Sequence, residues 1–276
     1  MKRDTKEDYL QSVYKVVYYI EKNYTDKLTV ESLSKIAGYS KYHFHRIFKS
    51  IMGESVGEYI RRVRLSESSN KLKRNKNISE VALESGYKTY ASFSKAFKER
   101  FNISPKDFSK QINQKKCEII IEPEIVYFEE TKVLCLRKEG DYVMVSKKAF
   151  SVLISFVEKE IGHQDEMMMY GIIYDDSTIL PKNKLRYDAC VTYDEKSICP
   201  RGEVVSKVIE GGEHLYYLHK GTYHGLKEIY NMMLQYIIEN EMIMADRPVF
   251  EKYLNCHDIP MESEKLKTEI YIPLVS

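Results

Sequence analysis

The sequence predicts two domains: an all-α domain with two helix-turn-helix units, then an α+β domain in which two tandem βαβ-like modules share one antiparallel sheet. Three observations support this fold class. A short pattern occurs twice in the first half, as "GYSKYHFHRIFK" at 38–49 and "GYKTYASFSKAFK" at 86–98. Basic residues are concentrated at 1–116, and a second pattern recurs at a constant offset in the second half. We therefore expect domains at 1–112 and 118–276, joined by a linker at 113–117.

Each copy of the first pattern has the hydrophobic spacing of an amphipathic helix. Phe44 and Phe48 lie one helical turn apart, as do Phe93 and Phe97, so each pair forms a buried stripe. A short helical segment and a glycine precede each copy, which suits the tight turn of a helix-turn-helix. Such stripes are also typical of an ordinary helical bundle, so the spacing alone leaves both interpretations open. The two units are predicted at 30–52 and 79–101.

Charge decides between these interpretations. Residues 1–116 contain 25 Lys or Arg and 13 Asp or Glu, a net charge of +12, whereas the whole chain carries only +2. Residues 117–276 therefore carry −10. A basic half attached to an acidic half indicates a polyanionic partner for the first half, and neutralisation of phosphates by Lys and Arg supplies most non-specific DNA affinity. We predict that the first domain binds double-stranded DNA.

The segment between the two units predicts a long connecting helix near 55–73. Val56, Tyr59, Ile60 and Val63 form its apolar stripe. A helix of this length spans about 27 Å at roughly 1.5 Å per residue, comparable to the roughly 34 Å of one DNA turn. The two recognition helices would then enter successive major grooves on one side of the duplex.

Most of the first domain resembles the DNA-binding domain of AraC/XylS-type transcription regulators. The segments "SLSKIAGYSKYHFHRIFKSIMGESVGEYIRRVRL" and "ISEVALESGYKTYASFSKAFKERFNISPKDF" carry the resemblance. It implies that bases are read by these positions: Tyr42, His45, Arg46, Tyr90, Ala91 and Lys95. Lys49 and Lys98 suit phosphates better than bases, and Lys41 and Ser94 complete the predicted DNA-contacting set. An arginine in the place of Arg46 most often reads guanine.

Cysteine usage and the absence of targeting signals indicate a reduced, cytoplasmic protein. The five cysteines form no CxxC pair and their number is odd, so we expect structural thiols: Cys117, Cys135, Cys190, Cys199 and Cys256. The sequence shows no signal peptide, no lipidation motif and no apolar run of roughly 20 residues. We therefore expect no membrane partner. His43 and His45 are two residues apart and face different sides, so we expect no metal site, and we expect no cofactor.

The second half repeats one order of strands and a helix. Helices are predicted at 145–161 and at "GLKEIYNMMLQYIIEN", each between strands rich in β-branched and aromatic residues. The triplet "GDY" at 140–142 recurs as "GTY" at 221–223, and "RYD" at 186–188 recurs at the same offset as "KTE" at 267–269. The two modules are expected to form one sheet with both helices on one face, leaving a concave space for a ligand between them.

This half resembles the GyrI-like effector-binding domain over roughly 118–276. The segments that carry the resemblance are "YYLHKGTYHGLKEIYNMMLQYI", "FEKYLN" and "TEIYIPL". It implies a pocket in which an acidic residue, ringed by aromatic side chains, meets cationic amphiphiles. Glu251 in "FEKY" and Glu269 in "TEIY" match the acidic positions, and the sequence leaves open which of them points inward.

Strand alternation gives a partial argument for Glu269. Glu269 and Tyr271 share a face that Ile270 and Ile272 do not, so they face the cleft if the isoleucines meet the helices. Tyrosines offer cation–π faces to such a ligand. The full predicted effector set is Glu251, Tyr253, Glu269, Tyr271, Tyr170, Tyr216 and Tyr223.

Together these patterns predict a DNA-binding transcription regulator, specifically an activator, whose second domain binds a small cationic, amphipathic or aromatic effector. Its expected partners are promoter DNA, the effector and RNA polymerase. Two alternatives stay open: a hydrolase of reactive small molecules with Glu251 or Glu269 as general base, and a protein-interaction module. No GxSxG turn, P-loop or zinc spacing supports the enzyme, so we expect no catalytic residue.

Overall fold

The computed structural model describes residues 5–73, 77–114, 120–162, 167–177, 180–194, 197–255 and 263–275. The chain forms two compact units that divide near residue 115 of the sequence. The end of the predicted linker, 115–117, lies outside the described residues, as do Cys117 and Cys256. Among the described helices, none is long and apolar enough to cross a bilayer.

Every secondary-structure element in the described part of the first unit is a helix. Its helices are α1 (Thr5–Lys22), α2 (Val30–Ala37), α3 (Lys41–Met52), α4 (Val56–Lys73), α5 (Ile78–Glu84), α6 (Tyr90–Phe101) and α7 (Pro105–Gln114). The helix-turn-helix pairs are α2–α3 and α5–α6, and side chains define their ends. Thr29 caps α2, Gly38 ends it in the left-handed conformation at φ 76°, and Ser40 caps α3. Asn77 caps α5 through its side-chain oxygen.

Phenylalanines of the two stripes form the centre of the first unit. Phe44, Phe48, Phe93 and Phe97 are fully buried. Helix α4 also contributes Tyr59, whose ring lies 5.7 Å from that of Phe48. The core therefore fixes the inner side of both recognition helices, α3 and α6.

Two of the arginines on α4 are structural. Arg62 is buried and donates to the Glu54 carboxylate at 2.8 Å. Arg64 donates to the backbone carbonyls of Tyr24 and Asp26, both at 2.8 Å. These contacts tie α4 to its neighbours, so part of the positive charge of this domain serves packing.

The second unit is one eight-stranded sheet with two long helices. Its elements are β1 (Glu124–Phe128), β2 (Thr131–Glu139), α8 (Tyr142–Ile161), β3 (Met169–Ile173), β4 (Arg186–Thr192), β5 (Val204–Ile209), β6 (Gly212–Lys220), α9 (Leu226–Glu239), β7 (Val249–Tyr253) and β8 (Lys267–Pro273). The strand order is β1-β6-β8-β7-β3-β4-β2-β5. The predicted fold class is confirmed, and each module has four strands, two more than a βαβ unit. The first strand of each module, β1 or β5, pairs with the other module's half of the sheet.

The sheet has two chemically different faces. Directly paired residues share a face, so Ile270 lies with Glu251, while Glu269 lies with Lys252 on the opposite side. Ile270 belongs to the apolar cluster that includes Met233 of α9. Phe150 of α8 packs against the same side of the sheet. We call this side the helix face, and the opposite side, which carries Asp188, Lys252 and Glu269, the far face.

One cysteine pair departs from the expected reduced state. Cys135 of β2 lies directly opposite Cys190 of β4, and the two form a disulfide with their Cα atoms 4.2 Å apart. The prediction of reduced thiols is therefore wrong for this pair, because the antiparallel register brings together two residues that are 55 apart in the sequence. Cys199 is a free, exposed thiol.

Candidate functional site: a DNA-facing helix pair and a tyrosine cage

The first recognition helix presents the predicted polar residues to solvent. Tyr42 is 83% exposed, and His45, Arg46 and Lys49 are exposed on the same helix. Lys41 is also exposed, but its ammonium pairs with the Glu31 carboxylate at 2.7 Å. The outward side of α3 therefore offers a cation and hydrogen-bonding groups at helical spacing, which suits a major groove.

The second recognition helix repeats this arrangement with fewer hydrogen-bonding side chains. Tyr90, Ala91, Lys95 and Lys98 are exposed, and Ser94 is half-buried. Thr89 caps the N-terminus of α6, and Asn102 ends it in the left-handed conformation. The two lysines make α6 suited to phosphate contact, whereas α3 carries the arginine.

The seven predicted effector residues do not lie together. Glu269, Tyr271, Tyr170 and Tyr216 lie on the far face. On the helix face are Glu251, Tyr253 and Tyr223. The two candidate carboxylates lie on opposite faces because β7 pairs Glu251 with Ile270, not with Glu269, and neighbouring residues on a strand point to opposite sides.

Glu251 lies at the centre of the helix face. Its carboxylate accepts hydrogen bonds from the hydroxyls of Tyr230 on α9 at 3.0 Å and of Tyr253 at 2.6 Å. The Tyr253 hydroxyl also lies 3.0 Å from that of Tyr187. Gly171 is directly opposite Glu251 on β3, and a Cβ there would collide with the hydroxyls of Tyr187 and Tyr253. The glycine therefore makes room for the tyrosine network.

Aromatic rings from both modules surround this carboxylate. The ring of Tyr253 meets that of Phe150 of α8 and that of Tyr223, both at 5.7 Å between centroids. The ring of Tyr187 lies 6.1 Å from that of Tyr142, the first residue of α8. We call this set of residues the tyrosine cage: Glu251, Tyr142, Phe150, Tyr187, Tyr223, Tyr230 and Tyr253.

The charge of Glu251 has no cationic partner among the residues that the structure describes. The side chain is 4% exposed. Burial raises the pKa of Glu251, and the hydrogen bonds from Tyr253 and Tyr230 offset only part of that rise. Thr268, directly opposite Tyr253 on β8, is fully buried and its hydroxyl has no hydrogen-bond partner within the described ranges. The helix face, with the cage and Thr268, thus contains buried polar groups suited to a ligand.

Glu269 is in a different electrostatic state. The Lys252 ammonium lies 3.4 Å from its carboxylate, and the Tyr271 and Tyr216 hydroxyls donate to it at 2.9 and 3.3 Å. Lys252 of the neighbouring strand offsets part of its charge, whereas no described cation offsets that of Glu251. For a ligand cation, Glu251 is therefore the better counter-ion.

Comparison with known proteins places the chain in a family. Residues 33–111 match a helix-turn-helix domain, and residues 121–275 match the GyrI-like small molecule binding domain. The transcriptional activator AarP of Providencia stuartii is 35% identical over 34% of this chain and 70% of its own length. The multiple antibiotic resistance protein MarA of Escherichia coli K12 is 34% identical over 34% of this chain and 75% of its own. The chain belongs to the AraC/XylS regulators and carries a GyrI-like domain.

A structure of an EcmrR–DNA complex, determined by cryo-EM, covers 89% of this chain and 98% of its own. The two share 15% sequence identity, with a TM-score of 0.48.

In this GyrI-like domain, sequence reasoning missed four residues of the tyrosine cage: Tyr142, Phe150, Tyr187 and Tyr230. One signal was present, since Tyr142 and Tyr223 hold the same place in the "GDY" and "GTY" triplets. Because Tyr223 was a candidate effector-binding residue, Tyr142 in the equivalent position of the first module was a candidate as well. The other three follow only from the packing of α8 and α9 on the sheet.

Proposed function

We propose that this AraC/XylS regulator activates transcription in response to a small organic cation bound in the tyrosine cage. The observation that carries the proposal is Glu251, a buried carboxylate whose described partners are tyrosine hydroxyls alone. A buried anion without a cation is costly, and a ligand cation removes that cost. Tyrosine faces around it attract quaternary ammonium groups through cation–π interaction.

A direct test uses two probes of the same shape. Benzyltrimethylammonium carries a fixed charge, and neopentylbenzene replaces its nitrogen by carbon. Calorimetry on the full chain should show that the cation binds more tightly than its neutral isostere. Equal affinity for both would show that the cage recognises shape and not charge.

Cation binding should also depend on pH. Burial raises the pKa of Glu251 above its ordinary value of 4.5, so the ligand-free folded state holds a proton more tightly than the unfolded chain. A bound cation favours the ionised carboxylate, so affinity should increase with pH up to the raised pKa and stay constant above it. The contribution of Glu251 to stability runs the opposite way: it is present below pH 4.5 and is lost as pH rises through the folded-state pKa.

Titrations at several pH values, in buffers of different ionisation enthalpy, measure the proton released on binding. A pH-independent affinity for the cation would contradict the role given to Glu251.

We further propose that the first domain, at 1–112, reads DNA with the exposed sides of both recognition helices. The proposed base-contacting side chains are Tyr42, His45, Arg46, Tyr90, Ala91 and Lys95. Lys41, Lys49, Ser94 and Lys98 would hold the phosphate backbone or support these contacts. The positive charge of residues 1–116 supports this assignment.

Two substitutions separate base reading from phosphate contact. Arg46→Ala should weaken binding by roughly 1–3 kcal/mol on the specific site and relax its preference at one base pair. Lys98→Ala should weaken binding to all duplexes alike and reduce the salt dependence by about one phosphate contact. Fluorescence anisotropy with a selected duplex and a shuffled duplex, at several salt concentrations, measures both effects. If Arg46→Ala weakened both duplexes equally, Arg46 would be a phosphate contact.

Activation implies RNA polymerase as a partner and the cytoplasm as the compartment in which promoter DNA is bound. The matched relative AarP is described as a transcriptional activator, which supports an activating role. Production of a transcript that depends on the chain, with purified polymerase, tests this part. A chain that only lowers the transcript level would be a repressor.

A further inference from the structure

The internal duplication gives the far face two equivalent carboxylates. Asp188 on β4 and Glu269 on β8 are separated by the offset that also relates the "GDY" and "GTY" triplets. Asp188 lies directly opposite Arg137 on β2, and Glu269 lies directly opposite Leu218 on β6. Arg137 and Leu218 are related by the same offset. The two modules can therefore be compared position by position.

In the first module two cations hold the carboxylate. The Arg137 guanidinium donates to both oxygens of Asp188, at 2.5 and 3.0 Å. The Lys207 ammonium donates to it at 2.6 Å, and the Tyr174 hydroxyl at 2.9 Å. The Tyr174 ring lies 4.3 Å from the guanidinium carbon of Arg137. Asp188 is fully buried in this arrangement.

In the second module both of these cations are replaced by apolar side chains. Leu218 stands in the place of Arg137. Val126 of β1 precedes Lys207 of β5 by the repeat offset and stands in the place of that lysine. Of the described basic residues, only Lys252 pairs with Glu269, at 3.4 Å. One of the Glu269 oxygens, Oε1, receives the 3.3 Å hydrogen bond from Tyr216.

A cavity lies beside Glu269, and its lining includes Val126, which stands in the place of Lys207. Its volume is about 380 Å³, within the range of small-molecule sites, and its lining includes Val126, Glu129, Tyr170, Lys252, Glu269 and Tyr271. Two carboxylates and one ammonium in this lining leave one negative charge unbalanced. A ligand that fits this charge balance is a monocation.

We propose that this far-face cavity binds a small molecule bearing a guanidinium group, which pairs with Glu269 from the side where Val126 stands in place of Lys207. A planar guanidinium can donate to both carboxylate oxygens at once and stack on a tyrosine ring. Tyr170, Tyr216 and Tyr271 supply such rings beside Glu269. The cavity and the tyrosine cage lie on opposite faces of the sheet, so this site does not rest on the proposed effector site.

The test uses phenethylguanidinium and its uncharged isostere phenethylurea. Calorimetry is performed on the full chain with Glu251→Gln, which removes the carboxylate of the tyrosine cage and leaves the far face intact. Guanidinium should bind more tightly than urea. Glu269→Gln, added to this background, should weaken guanidinium binding roughly ten- to hundredfold and leave urea binding unchanged. Glu213→Gln, an exposed glutamate on β6, is the matched control and should change neither.

A second variant rebuilds the first module's arrangement in the second. Leu218→Arg places a guanidinium directly opposite Glu269, so the chain's own side chain should occupy the site and exclude the probe. Binding of phenethylguanidinium should fall at least about tenfold, while Leu218→Met should retain it and thermal unfolding should show that both variants fold. Unchanged guanidinium binding in Leu218→Arg, or equal affinity for urea and guanidinium, would overturn the proposal. A failure of Glu251→Gln to affect benzyltrimethylammonium would overturn only the effector site.

Discussion

Glu251→Gln should weaken the binding of benzyltrimethylammonium by about 1.5–3 kcal/mol, the range of a charge-assisted contact. Glutamine keeps the shape of the side chain and an oxygen that can accept from Tyr230 or Tyr253, but it removes the charge. Neopentylbenzene should bind equally well or more tightly, because no buried carboxylate then remains to be desolvated. Calorimetry on the wild type and the variant, with both probes, gives these two differences.

The same substitution should leave the ligand-free protein as stable as the wild type or more so. Glu251 is fully buried without a cation among the described residues, so its ionised form is costly in the absence of a ligand. Glu213→Gln, an exposed glutamate on β6, is the matched control and should leave binding of this probe intact. An equal loss of both probes in Glu251→Gln would make Glu251 a structural residue of the cage.

Asp188→Asn should lower the free energy of unfolding of the GyrI-like domain by about 3–5 kcal/mol, the cost of breaking a buried ion pair on one side. The substitution leaves the guanidinium of Arg137, which is 1% exposed, without its counter-ion. Lys207, the second cation on this carboxylate, loses this ion pair as well. Urea unfolding of the full chain, followed by a signal from the GyrI-like domain, measures the loss. Glu213→Gln, exposed on β6, should stay within about 0.5 kcal/mol of the wild type.

The pH dependence of this cluster has the opposite sign to that of Glu251. Burial alone would raise the pKa of Asp188, but Arg137 and Lys207 hold it well below the ordinary value of 3.8. Its stabilising contribution is therefore present above pH 3.8 and is lost only as pH falls further toward the folded-state pKa. If Asp188→Asn cost less than about 1 kcal/mol at neutral pH, the cluster would not be a main support of this domain.

The helical half of the fold could be predicted from the sequence because helix period and capping are local signals. The stripe of Phe44 and Phe48, and its repeat at Phe93 and Phe97, determines which sides of α3 and α6 are buried. The remaining sides of α3 and α6 are therefore exposed to solvent. Helix period did not show that Arg62 and Arg64 make contacts inside the domain, because their partners lie outside α4: Glu54 precedes the helix, and Tyr24 is 40 residues before Arg64.

The choice between Glu251 and Glu269 depends on strand register, which the sequence does not encode locally. A shift of one residue between β7 and β8 would bring both carboxylates to one face. The pairing of Cys135 with Cys190 depends on register in the same way. Helix α8 begins at Tyr142, three residues before the predicted start, because Asp141 caps it and its first turn packs under the tyrosine cage.

The central claim is that a cation at Glu251 controls transcription, and one measurement tests it most directly. A duplex selected from a random library by the full chain is placed upstream of a core promoter, and transcripts made by purified RNA polymerase are counted with and without benzyltrimethylammonium. We predict that the cation changes the transcript level with the wild-type chain, and that this change is absent with Glu251→Gln. An identical change in both proteins, or no change in the wild type, would contradict the account.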